Sequence, residues 1–347
     1  MSFVRLTEKQ IKEDSEQQLR SFKRTKDFVV AIDTDGCVAD NMNGKQMLIF
    51  HPQYMEFYQL WEIESYFREI AEYYNLFSIH RGCNRFLATQ FTLEALHKRK
   101  DVEKVIKEKC ITLPEIEPLN KYIEYCNKNK LGLGNPSLKK FLDTVPFSLY
   151  IYKLSGWSEA VNWTFPYVNL KIPPFGHVRE SLELMSERAD IIVVSQTPYD
   201  DLANYWEYQG ISKYIQTIAG QEMGTKTHHI EVIKKIGGYK DDHILMLGDA
   251  DGDLKAVKKN NGLFYPIPAG YEQVAWNEFT KIFKTFIDGK YIGETEDELL
   301  KDFSEVLLNF PHWEKPDYNH ISVYKEKQEI RKTLYSKINP DGRLLIV

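Results

Sequence analysis

Three short apolar runs constrain this chain most: FVVAI at 28 to 32, IIVV at 191 to 194 and ILML at 244 to 247, each ending abruptly in a polar cluster. Runs of this length, apolar throughout and bounded by polar or glycine residues, read as strands buried on both faces, the kind that parallel sheets contain. Between the last two lie amphipathic segments, DDLANYWEYQG and THHIEVIKKIGGY, so the region from about 175 to 270 alternates strand with helix. That alternation predicts a doubly wound α/β sheet. LFYPIP at 263 to 268 could supply one more short strand, which its two prolines would restrict to an edge or to the strand's ends.

The stretch from 41 to 170 is different, rich in aromatic and charged residues at helical spacing, with Pro114, Pro118, Pro136 and Pro146 marking breaks between shorter helices. It predicts an all-α domain inserted after the first strand. A polar helix is expected at about 7 to 24, and a helical extension from about 271 to 312 with an irregular tail. The expected division is therefore 1–40 with 171–270 as the sheet domain, 41–170 as the helical insert, and 271–347 as an extension packed on the sheet domain.

In an open α/β sheet, ligands bind beyond the carboxyl ends of the strands. Here the first run opens into Asp33-Thr34-Asp35-Gly36, the second into Ser195-Gln196-Thr197 and the third into Gly248-Asp249-Ala250-Asp251-Gly252-Asp253. Carboxylates from two strand ends can thus meet and supply the hard oxygen ligands that magnesium prefers. The segment from Asp33 to Asp253 resembles the haloacid dehalogenase superfamily, whose four motifs occur here in order: DTDG after a strand, a serine after a strand, a lysine, and GDADGD after a strand. The resemblance implies a Rossmann-like core, a helical cap in the insert, a magnesium cofactor and a covalent aspartyl-phosphate intermediate.

Carried over residue by residue, the resemblance implies that Asp33 is the nucleophile and that Asp35 protonates the leaving oxygen and then deprotonates water. Ser195 would hold a phosphate oxygen, with Thr197 offering a second hydroxyl nearby. Lys226, at the start of an amphipathic helix, would keep the nucleophile ionised and offset developing charge. The implied metal ligands are Asp33, the backbone carbonyl of Asp35, and Asp249, with Asp253 orienting Lys226 or a metal-bound water. Asp251 is ambiguous, since an acid in a helix's first turn is favoured by the dipole alone. In the insert, Lys45 and the His80, Arg81, Arg85 cluster are candidate phosphate or sugar contacts, as guanidinium groups bind anionic oxygens bidentately.

A net charge of −5, from 45 basic and 50 acidic residues, gives no sustained basic field for nucleic acid or an anionic membrane. No run approaches the roughly 18 apolar residues of a spanning helix, and MSFVRLTEKQIKEDSEQQLR lacks the apolar stretch of a secretory signal, so a cytoplasmic location is expected. Cys37, Cys83, Cys110 and Cys126 form no CxxC pair and are expected to be reduced. The expected activity is phosphomonoester hydrolysis on a small phosphorylated metabolite. A sugar-phosphate mutase uses the same motifs, and a non-catalytic phospholigand-binding protein would keep the fold.

Overall fold

The computed structural model describes residues 3–338. The chain divides into two compact units, one made of residues up to 42 together with 169–307, the other of 43–168 together with residues from 308 on.

The first unit is built on five strands: β1 (Phe28–Ile32), β2 (Ala189–Val194), β3 (Thr217–Ala219), β4 (Ile244–Gly248) and β5 (Leu263–Pro266). They form one all-parallel sheet in the order β3-β2-β1-β4-β5. The strands are buried on both faces, as their unbroken apolar sequences require. Helices carrying the fully buried Trp206, Trp276, Phe279 and Phe286 supply much of the surrounding core. Pro266 is the last residue of the edge strand β5, where a missing N–H costs least, and the next amide, Ile267 N, donates to Gly248 O at 2.8 Å.

The topology decides where chemistry can occur. From β1 the chain proceeds outward through β2 and β3 on one side and returns to build β4 and β5 on the other, so the strand order reverses between β1 and β4. Ile32 is in register with both Val193 and Leu247. The residues that follow each of them therefore emerge side by side at one edge of the sheet.

Two features of this unit differ from the sequence reading. β3 has three residues and no pattern of its own, so only its pairing with β2 identifies it. The polar N-terminal helix is two helices, Glu8–Glu13 and Gln17–Arg20, because Asp14 leaves helical backbone geometry at φ −159°.

In the second unit the described residues are helical apart from turns and an isolated pairing of Ser78 with Leu308. Pro118 and Pro136 lie in the first turns of Glu117–Lys128 and Asn135–Leu142, where a missing N–H costs nothing. The 271–347 extension does not stay together. Glu272–Ile287 and Glu294–Val306 belong to the sheet unit, whereas the chain from Leu308 joins the helical unit. There it forms a helix at His320–Ile338 in place of the expected irregular tail.

Polar contacts fix that segment. Leu308 N donates to Phe77 O at 2.9 Å, and Arg331 grips the buried Glu72 through Nε (2.9 Å) and Nη2 (2.6 Å). Glu69 accepts from Arg99 Nη1 at 2.6 Å, from Tyr318 Oη, and bonds to His312 Nε2 (2.9 Å) and His320 Nδ1 (3.2 Å). Trp313 also packs against the helical core and Leu334 is buried, so charge is joined by a short apolar contribution.

Candidate active site

Asp33 follows β1 directly, and its amide donates to Leu247 O at 3.0 Å, which continues the β1–β4 pairing one residue past the strand. Its Oδ1 accepts from Thr34 N at 2.7 Å and its Oδ2 from Lys226 Nζ at 2.6 Å. Thr34 is in turn fixed by Trp206 Nε1, which donates to its hydroxyl at 3.0 Å. Gly36 has a φ of +77°, a turn conformation that costs a glycine nothing and brings the chain back after Asp35.

Lys226 is the first residue of the helix Lys226–Gly237, whose N-cap Thr225 accepts from His228 N at 3.2 Å. Its ammonium also reaches Asp253 Oδ1 at 2.5 Å. Asp253 is fully buried and sits in the first turn of Asp251–Lys258, where its other oxygen accepts from Ala250 N at 3.2 Å. Gly248 makes this fold-back possible, because a Cβ there would lie 2.4 Å from Asp253 Cβ and 2.5 Å from its carboxyl group.

Asp33, Asp249 and Asp253 are buried, with one carboxylate oxygen from each lying within 4.8 Å of the others. Burial opposes the charge on Lys226, but the fields of Asp253 and Asp33 outweigh it and hold its pKa above the usual lysine range. Asp253 is pushed up by burial, pulled down by Lys226, and pushed up again by Asp33 and Asp249. The Cys37 thiol is raised by burial and then by the same three carboxylates. Negative charge is thus concentrated at the carboxyl ends of β1 and β4, and three convergent hard oxygen donors fit a small divalent cation such as magnesium.

Asp35 turns elsewhere. Its Oδ1 accepts from Asn41 Nδ2 at 2.6 Å and its Oδ2 is bonded to the Thr197 hydroxyl at 3.0 Å. Its side chain is not among the three clustered carboxylates. Ser195 ends β2's pairing, with its amide donating to Ala219 O at 3.0 Å, and its hydroxyl accepts from Thr197 N at 3.3 Å. Asp251 is in the first turn of its helix and pairs with Lys255 one turn on.

Of the basic residues of the helical unit, Lys45 and Arg85 both lie over the Phe50 ring, at 5.7 and 5.0 Å. Arg81 is buried and donates to Leu76 O at 3.0 Å, Arg85 bonds Ser158 and Asn162, His80 lies 4.5 Å from the Phe91 ring, and Lys45 lies 4.7 Å from the Phe165 ring. The sequence marks Asn41 only as a turn former at the crossing into the insert, gives Thr197 second place and offers no sign of Asn169. No spacing signal links these residues to Asp35.

No protein-family model matches the sequence, and no curated protein does. Solved structures similar to this chain include a haloacid dehalogenase-like family hydrolase from Xanthomonas campestris, 9% identical with a TM-score of 0.42, the match covering 77% of this chain and 97% of that one. A HAD-superfamily hydrolase of subfamily IA from Geobacter sulfurreducens is 12% identical with a TM-score of 0.37 over 69% of this chain and 86% of that one. A haloacid dehalogenase-like family hydrolase from Streptococcus pneumoniae is 9% identical with a TM-score of 0.37 over 72% and 90%.

Proposed function

We propose that this chain is a magnesium-dependent phosphomonoester hydrolase of the haloacid dehalogenase type, acting on a small phosphorylated metabolite through an aspartyl-phosphate. The observation that carries this reading is the convergence of Asp33, Asp249, Asp253 and Lys226 at the strand-order reversal, three carboxylates and an ammonium in one buried cluster.

In the first half-reaction a carboxylate oxygen of Asp33 attacks phosphorus. The bond from phosphorus to the ester oxygen breaks, and that oxygen takes a proton from Asp35. In the second, Asp35 accepts a proton from water, whose oxygen attacks the acyl phosphate; the bond to Asp33 breaks, and inorganic phosphate leaves. Lys226 offsets negative charge at Asp33 as the phosphoryl group arrives, and Asp253 holds Lys226 in place. Asp33, Asp249 and the backbone carbonyl of Asp35, with Asp253 behind them, would hold magnesium, which would supply positive charge to offset that of the phosphoryl group. Ser195, at the end of β2, is the candidate for a hydroxyl contact to the phosphoryl group.

A panel of sugar phosphates, nucleotides and small acid phosphates with magnesium, assayed for released phosphate, tests the activity. Asp33→Asn should abolish turnover with the fold intact, since an amide of nearly the same shape is a poor nucleophile. Turnover surviving in that variant would remove the reading. Isomerisation of a sugar phosphate without release of phosphate would identify a mutase instead.

A further inference from the structure

Asn41 and Asn169 stand at the two points where the chain leaves the sheet unit and returns to it. Both are buried, and Asn41 Nδ2 donates to Asn169 Oδ1 at 2.7 Å. The orientation of the Asn41 amide is settled by its neighbours. Its nitrogen faces Asp35 Oδ1, which as a carboxylate oxygen can only accept, and its Oδ1 accepts from Gly36 N at 3.2 Å, a donor shared with Ala39 O at 3.0 Å. Both of its N–H groups are then committed, one to Asp35 Oδ1 at 2.6 Å and the other to Asn169.

The two oxygens of Asp35 consequently meet partners of different kinds. A side-chain amide nitrogen can only donate, so Oδ1 is an acceptor throughout the cycle. The Thr197 hydroxyl at Oδ2 can donate to a carboxylate or accept from a carboxylic acid by rotating its proton. We propose that Asn41 is the positioning residue of the acid/base step, pinning Asp35 Oδ1 so that the proton is exchanged through Oδ2 beside Thr197. Asn169 orients the Asn41 amide from the returning chain. This rests on the function proposed above, in which Asp35 protonates the leaving oxygen.

The test uses leaving groups of graded quality on the full chain with magnesium: phenyl, 4-nitrophenyl and 2,4-dinitrophenyl phosphates. The parameter is kcat/KM, which covers steps through departure of the phenol. Dinitrophenolate departs without a proton, whereas phenolate needs one. Asn41→Ala should lower kcat/KM for phenyl phosphate by about 10- to 100-fold, the scale of misplacing a catalytic group by roughly 1 Å, while 2,4-dinitrophenyl phosphate changes only a few-fold. Thr197→Val and Asn169→Ala should show the same tilt, less steeply, and they decide the matter should Asn41→Ala fail to fold. Asp35→Asn is the reference and should show the steepest tilt.

An equal loss across the three esters in the Asn41, Asn169 and Thr197 variants, with Asp35→Asn still tilted, overturns the proposal and leaves the function standing. No tilt in Asp35→Asn itself would overturn the function instead.

Discussion

Gly248→Ala offers a direct measure of how tightly the candidate site is built. The added Cβ would lie 2.4 Å from Asp253 Cβ, where ordinary contact begins near 3.4 Å, a shortfall of about 1 Å. β4 cannot absorb it, since β4 is hydrogen-bonded to β1 on one side and β5 on the other. The first turn of Asp251–Lys258 must give way, and the 2.5 Å contact between Asp253 Oδ1 and Lys226 Nζ goes with it. Overpacking alone costs about 1–3 kcal/mol, and uncoupling one partner of a buried charge pair about 3–5 kcal/mol. The two overlap because they concern one side chain, so the expected loss in urea denaturation is about 3–5 kcal/mol in total. Catalytic efficiency on an aryl phosphate should fall by about 10²-fold as Lys226 loses its support. The control is the same substitution in an Asp253→Gly background, where neither the clashing Cβ nor the carboxylate remains and little further loss is expected. Equal costs in both backgrounds, or a loss under about 1 kcal/mol in the parent, would refute the reasoning.

Lys226→Met should destabilise the sheet unit by about 3–5 kcal/mol, because Asp33 and Asp253 lose a buried cation, and should lower kcat by about 10²–10³-fold with KM little changed; an unchanged kcat would remove Lys226 from the chemistry. Burial would raise the pKa of Glu69, but its bonds to His312, His320, Tyr318 and Arg99 outweigh that and hold it well below the usual carboxylate range. Its contribution to stability is therefore present above the ordinary glutamate pKa and is lost as pH falls toward the depressed folded value. Urea midpoints at about pH 6 and about pH 2.5 should differ, and Glu69→Gln should lower the first and shrink the difference, whereas an unchanged pH dependence would discount the network. A chain joining residue 42 to residue 169 by a short linker and ending at 307 should fold and bind magnesium by calorimetry; the same deletion ending at 347 strands Arg331, Tyr318 and His320 without Glu72 and Glu69 and should aggregate or be cleaved back toward 307.

What was legible in the sequence follows from which forces dominate each element. β1, β2 and β4 are buried on both faces, so their sequences are apolar without a break and their ends are marked where polarity resumes. Asp33 and Asp249 are found by that change of polarity. Lys226 and Asp253 are carried over only through the resemblance to the haloacid dehalogenase motifs, and in the structure Lys226 bonds both Asp253 and Asp33. The segment from Leu308 is held by Arg331 on Glu72 and by a hub at Glu69, pairs of residues well over 200 positions apart, and ion pairs leave no periodic trace. Asn41, Asn169 and Thr197 are hidden for a related reason. Each is a small polar residue whose importance depends on one partner, and such residues are common in every loop.

The two carboxylates of DTDG are separated by a single residue, yet the fold gives them different company. Asp33 leaves β1 in line with the strand and meets Lys226, a fixed positive charge on the helix that precedes β4. Asp35 lies at the Gly36 turn, and its two oxygens bond an amide and a hydroxyl, of which the hydroxyl can accept as well as donate. A nucleophile benefits from a permanent cation, since charge at that oxygen must be balanced through attack and release. An acid/base benefits from a partner that serves both of its states, as a rotatable hydroxyl does. In the proposed reaction the two acids would thereby take different tasks from their neighbours, as pairs of catalytic carboxylates generally do. Exchanging the neighbours should cost more than removing them: a lysine placed at Thr197 would put an ammonium on the proposed acid/base, and Thr197→Lys should slow phenyl phosphate more than Thr197→Val does. If the lysine variant matched the valine variant across the three aryl phosphates, the company Asp35 keeps would not be what fits it for proton transfer.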